Sequence, residues 1–202
     1  MKRKIYATLI AGALAVSAMG TTVMAANEAS GKTDVNYTAG TAGPTDPVKP
    51  GEEETSQNNW MVKYPRTVTL TDSNQGTAPT DYASKGEKLQ FTVTQKVAGE
   101  DGDNTIKNEN IPMGIDVTLE SASTSWTEED ITLNPKGDAA GTATMKLGSF
   151  SDVTVSQDAP AVGNLTDSVA TNTAKALLTD TSKVTDGGTY GTTLTFKFAP
   201  GK

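Results

Sequence analysis

The chain has no cysteine and no histidine in its 202 residues. Without cysteine there is no disulfide to staple a small domain, no thiol nucleophile, no thiolate metal site and no lipidated cysteine anchor. Without histidine a Ser-His-Asp triad, a Cys-His pair and every imidazole metal site are excluded, which removes most hydrolytic mechanisms. Basic residues are in deficit, 17 Lys and Arg against 24 Asp and Glu, for a net charge of -7. Such a surface repels nucleic acid and anionic lipid, so nucleic-acid binding is set aside. Aromatics make up only 5% of the chain, with two Trp and no local aromatic cluster. No LPxTG-like motif is visible, and the closing "FAPGK" is not an apolar tail followed by basic residues, so covalent sortase anchoring is not expected.

What is present begins with Lys2, Arg3 and Lys4, continues through the apolar run Ile5 to Val16, and reaches small residues at Val23-Met24-Ala25. That order predicts a secretory signal peptide over residues 1–25, with an apolar part too short for a membrane span. The mature protein is expected to be secreted and extracellular, with no membrane span after cleavage. No acidic residue precedes Asn27, so cleavage leaves 14 basic against 24 acidic residues and a mature net charge of -10.

Residues 26–58 read as one short alternating stretch, Val35 to Thr38, followed by a Pro-, Gly- and Glu-rich spacer containing Pro44, Pro47 and Pro50. A segment this polar buries too little apolar surface to offset the entropy of ordering it. The prolines favour an extended form. If "VNYT" pairs with the sheet that follows, the Pro-rich stretch is a surface loop rather than a free arm.

Residues 59–202 suit one domain and alternate with period two. Val68 and Leu70 share a face, as do Phe91, Val93 and Val97; Ile115, Val117 and Leu119; Ala143, Met145 and Leu147; Val153 and Val155; and Leu194, Phe196 and Phe198. Thr, Lys, Asp and Gln fill the intervening positions, the habit of antiparallel strands with one wet face. Turn signals separate them at 72–76, 98–104, 134–141, 158–164 and 186–188. Only "TDSVATNTAKALLTDT" offers a loose helical spacing, and its Thr content favours strand or irregular structure. The expected fold is all-β, an antiparallel β-sandwich preceded by signal peptide and spacer.

Candidate chemistry is sparse. Glu128, Glu129 and Asp130 are adjacent and Glu52, Glu53 and Glu54 form a run, but charge runs favour water over the two sides of a glycosidic cleft. The stretch 101–112 has calcium-friendly oxygens, yet Ile106 stands where an EF-hand needs Gly and Pro112 where it needs Glu. A non-EF site at Asp101, Asp103 and Asn104 remains as the calcium alternative to a polar hairpin loop. Asn36 and Asn164 fit the short N-glycosylation pattern. A Lys-Asn isopeptide needs a buried lysine, and Lys197 points opposite to Phe196 and Phe198, toward solvent. Trp60 and Trp126 could serve as platforms for stacking on a sugar, but two Trp residues far apart with no aromatic cluster favour core packing. The expectation is therefore a non-enzymatic protein with no catalytic residue, cofactor or metal.

The order of parts, with "WMVKYPRTVTL" after the spacer and "GGTYGTTLTFKFAP" as the closing strand, resembles the WxL-type cell-surface proteins of Gram-positive bacteria. The closing strand has Phe196-Lys197-Phe198 where that family carries Trp-x-Leu. The resemblance implies a β-rich module held non-covalently on the cell wall, with peptidoglycan or other surface proteins as partners and Trp60, Trp126, Phe196 and Phe198 as the possible contacts. Two other readings stand beside it. One is a subunit of a surface filament or layer joined through strand edges. The other is a released carbohydrate-binding module.

Overall fold

Alternating threonine and branched or aromatic residues favour an extended backbone, because every second side chain then falls on one face. The computed structural model describes residues 28–40, 52–56, 60–98, 104–107, 114–166 and 168–201, with the backbone alone for 52–56, 95–98 and 104–107. The predicted leader, the spacer at 41–51 and 57–59, and most of the candidate calcium loop at 101–112 lie outside the described residues.

The described residues form β1 (Ala29–Thr38), β2 (Glu52–Ser56), β3 (Trp60–Pro65), β4 (Thr67–Leu70), β5 (Glu87–Ala98), β6 (Asn104–Lys107) and β7 (Ile115–Ala122). There follow β8 (Trp126–Thr127), β9 (Asp130–Lys136), β10 (Ala143–Gly148), β11 (Ala161–Leu165), β12 (Thr171–Asp180) and β13 (Thr189–Pro200). Helical structure among the described residues is confined to a 3-10 turn at Asp72–Asn74 and one α-turn at Tyr82–Lys85. The protein is all-β, as expected.

The strands run in one nearly barrel-like sheet, in the order β11-β7-β13-β9-β10-β12-β5-β3-β2, with β1 pairing both β13 and β4. The sheet folds over at β9. Its residues Ile131–Leu133 pair with β10, whereas Asn134–Lys136 pair with β13. Pro135, which lacks an N–H, stands where the strand changes partner. The result is a first layer, β11-β7-β13-β1-β4, facing a second, β9-β10-β12-β5-β3-β2. The chain crosses between the layers again at Arg66, the single residue between β3 and β4. Almost all pairings are antiparallel, but β1 and β4 run parallel, so the sheet is mixed.

Aromatic side chains close the space between the layers. Phe91 of β5 meets Phe196 of β13 edge-on with ring centres 5.1 Å apart, and Tyr64 of β3 lies 5.6 Å from Phe198. Leu89, Val93, Val117, Leu133, Met145 and Leu178 are fully buried around them. Each such side chain contributes about 1.5–3 kcal/mol by leaving water.

The short first strand expected at Val35–Thr38 is longer and lies inside the sheet. All ten residues of β1 pair with β13, from Ala29 opposite Phe198 to Thr38 opposite Thr189. Its inward positions Gly31, Thr33, Val35 and Tyr37 are buried, while Ser30, Lys32 and Asp34 are exposed. A Cβ at Gly31 would overlap the ring of Tyr64, so glycine at this position sets how closely β3 approaches β1. Part of the spacer is also strand, since Glu52, Glu53 and Glu54 belong to β2 and pair with β3.

Two local expectations change. The run Val153 to Val155 is not a strand, because Asp152 takes a left-handed φ of 60° and turns Val153 out to 64% exposure. Part of the turn signal at 158–164 is β11, with Val162 buried and Gly163 at φ 152°. The Thr-rich stretch with loose helical spacing is strand β12, its Ala174, Ala176 and Leu178 facing the core.

Candidate ligand-binding face

The inward faces of β1, β7 and β13 are largely apolar, with Thr33 and Thr192 buried among them, so the same alternation turns a hydroxyl-rich strip outward. Ser30, Lys32 and Asp34 of β1, Thr193 and Thr195 of β13, and Ser121 of β7 border a groove of about 660 Å³ that Tyr64 and Arg66 also line. A second hollow of about 590 Å³ continues from Ser121 to Thr118, Glu120, Lys197, Gln157 and Trp126. A smaller one of about 230 Å³ shares Ser30 with the first and Glu120 and Lys197 with the second. The three hollows adjoin through Ser30, Ser121, Glu120 and Lys197, along the outward residues of β1, β7 and β13.

Local hydrogen bonds fix several of these groups. The Thr193 hydroxyl donates to Asp34 Oδ1 at 2.6 Å, tying β13 to β1 across their outer faces. Lys197 Nζ lies 2.8 Å from Glu28 Oε1, an ion pair bordering the smaller hollow. Farther along the strip, Lys136 donates to Asn36. Its chain lies over Gly191, where a Cβ would stand only 2.6 Å from Lys136 Cε. The strip therefore presents oriented hydroxyls, carboxylates and ammonium groups, able to donate and accept hydrogen bonds along an extended polar ligand.

The sequence-predicted contact residues divide sharply. Trp60 is 3% exposed and belongs to the core. Phe196 and Phe198 are fully buried between the layers, on the inward face of β13. Surface contact is closed to all three, and for Phe196 and Phe198 this follows from parity, since they must point inward if Lys197 points out. Trp126 alone reaches the groove. It is partly buried against the core, and its indole Nε1 is buried with no hydrogen-bond partner. The groove residues Lys32, Asp34, Arg66, Ser121, Thr193 and Thr195 were not picked out by sequence reasoning. Their signal was the polar half of each alternating strand, which looks the same on every solvated sheet.

The other acidic candidates serve structure. Glu129 and Asp130 lie 2.7 and 3.6 Å from Lys146 Nζ, and Glu128 occupies a left-handed turn at φ 54°. Lys146 is held above its ordinary pKa chiefly by the Glu129 hydrogen bond. Tyr37 donates to Asp72 at 2.6 Å, and its phenol is pushed above the usual range by burial and then by that carboxylate. Among the described residues no three acidic side chains come together as a metal-holding group. Also among them, no helix is long and apolar enough to cross a membrane.

The fold and this face define an all-β domain with an extended polar groove on one layer. No protein-family model, curated protein or solved structure matches the chain.

Proposed function

We propose that this chain is an exported, non-enzymatic surface protein that associates non-covalently with the cell wall, holding a wall polymer along the outer face of the first layer. The carrying observation is the polar groove across β1, β13 and β7, which ends at the partly buried Trp126. A glycan presents hydroxyls and amides along its edges and apolar patches on its ring faces. Oriented Ser, Thr, Asp and Lys side chains suit the edges, and an indole suits a ring face. The WxL-like order of parts supports the same reading, with the contacts moved from Phe196 and Phe198 to the outward residues between and beside them. Peptidoglycan is the first ligand to try.

The test is sedimentation of the mature chain, residues 26–202, with intact Gram-positive peptidoglycan sacculi. The parent is expected in the pellet, and Trp126→Ala is expected to weaken binding about tenfold, as loss of an aromatic anchor does. A folded parent left wholly in the supernatant overturns the proposal.

A further inference from the structure

Strand β1 is the first described element, and its partners come from remote parts of the sequence. It lies between β13 and β4, paired along its whole length with β13 and over Asp34–Tyr37 with β4. Its polar contacts are equally remote. Thr33 donates to the Pro65 carbonyl at 2.6 Å, the Asp34 N–H to the Arg66 carbonyl at 2.9 Å, and Tyr37 to Asp72. The covalent link to β2, in the other layer, is the chain between Gly40 and Glu52, and β1 also packs against β2 and β3. The rest of the sandwich runs from β2 to β13 without it.

We propose that β1 is exchanged between copies, so that the slot between β13 and β4 of one chain takes β1 of a second copy. The slot is specific for this strand. Withdrawing β1 would leave two strand edges unpaired and uncover Val68, Leu70, Tyr190 and Leu194, an unstable surface that must be refilled. The best-fitting filler is an identical strand, with Gly31 beneath Tyr64 and Val35 and Tyr37 in the core. Every contact of β1 is then rebuilt between chains, and the exchanged and self-filled forms differ only in the connection and in the entropy of association. Reciprocal exchange leaves no slot empty, so the closed product is a two-fold dimer.

The absence of cysteine makes the test direct. Lys32 stands opposite Thr195 and Thr38 opposite Thr189, in all four cases at outward or partly exposed positions. A Lys32→Cys chain and a separately tagged Thr195→Cys chain are mixed in urea, refolded together and oxidised. A disulfide between the two tags forms at this register only if β1 of one chain lies beside β13 of the other. A mixture of Lys32→Cys with Thr189→Cys, offset by six residues along the strand, measures random collision. The double variant Lys32→Cys/Thr195→Cys in one chain confirms that the substitutions permit folding.

A short connection gives closure onto the same chain an effective concentration in the millimolar range. Refolding at about 1 mM is therefore expected to give at least about tenfold more linked product from the matched pair than from the offset pair. The yield should fall in proportion on refolding at about 10 µM. Equal yields from the two pairs at the high concentration, with the double variant folded and internally linked, overturn the proposal.

Discussion

Replacing Phe196 with alanine tests the central structural claim, because the sequence resemblance puts this residue on a binding surface and the fold puts it in the core. Its ring is fully buried, edge-on to Phe91 at 5.1 Å, on the strand that β1 and β7 flank from either side. Removing a buried phenyl loses its transfer free energy and leaves a cavity that two packed layers cannot close, a cost of about 3–5 kcal/mol. That is a large share of the roughly 5–15 kcal/mol that holds a domain folded. With a urea slope of about 2 kcal/mol per molar, the midpoint should fall by roughly 2 M. Urea titration of residues 26–202 followed by circular dichroism reads this directly. A midpoint within about 0.3 M of the parent, an effect of under about 1 kcal/mol, would refute the inward placement of β13. Trp126→Ala supplies the contrast. It should move the midpoint far less and change sacculus binding far more.

Gly31→Val should destabilise by about 1–3 kcal/mol or more, since its side chain would have to displace the Tyr64 ring from between β1 and β3. An unchanged urea midpoint would show that β1 does not sit in this register. Tyr37 and Tyr82 are both pushed above the ordinary tyrosine value, chiefly by burial. They stay protonated in the native state after the unfolded chain has begun to ionise. Their contribution is therefore complete below about pH 10 and is lost as pH rises above it. Urea midpoints at successive alkaline pH values should fall, and Tyr37→Phe should flatten the fall, whereas an identical slope would place Tyr37 in water. Asp81 is held below its usual range by the Thr77 backbone N–H and then by Lys85. Its contribution is present above the ordinary carboxylate pKa and lost as pH drops through the lowered one, and Asp81→Asn should remove that acid-side dependence.

Much of this protein could be read before any coordinates. Alternation placed the inward faces of β4, β5, β7, β10 and β13, because side-chain direction in a strand follows from residue parity alone. Charge balance and the lack of histidine and cysteine bounded the chemistry, because no fold can supply a residue type the chain does not contain. The strand nature of β12 was also accessible, from threonine and branched residues outweighing a loose helical spacing. Tertiary structure decided the rest. Pairing of β1 with β13 joins Asp34 to Thr193 across nearly the whole chain. No local pattern encodes such a partner, since register and neighbour depend on which faces and edges remain unfilled elsewhere. The same holds for the tryptophans. Trp60 and Trp126 are chemically identical, and only the folding of the sheet at β9 and the crossing at Arg66 bury one in the core and leave the other at the end of a groove.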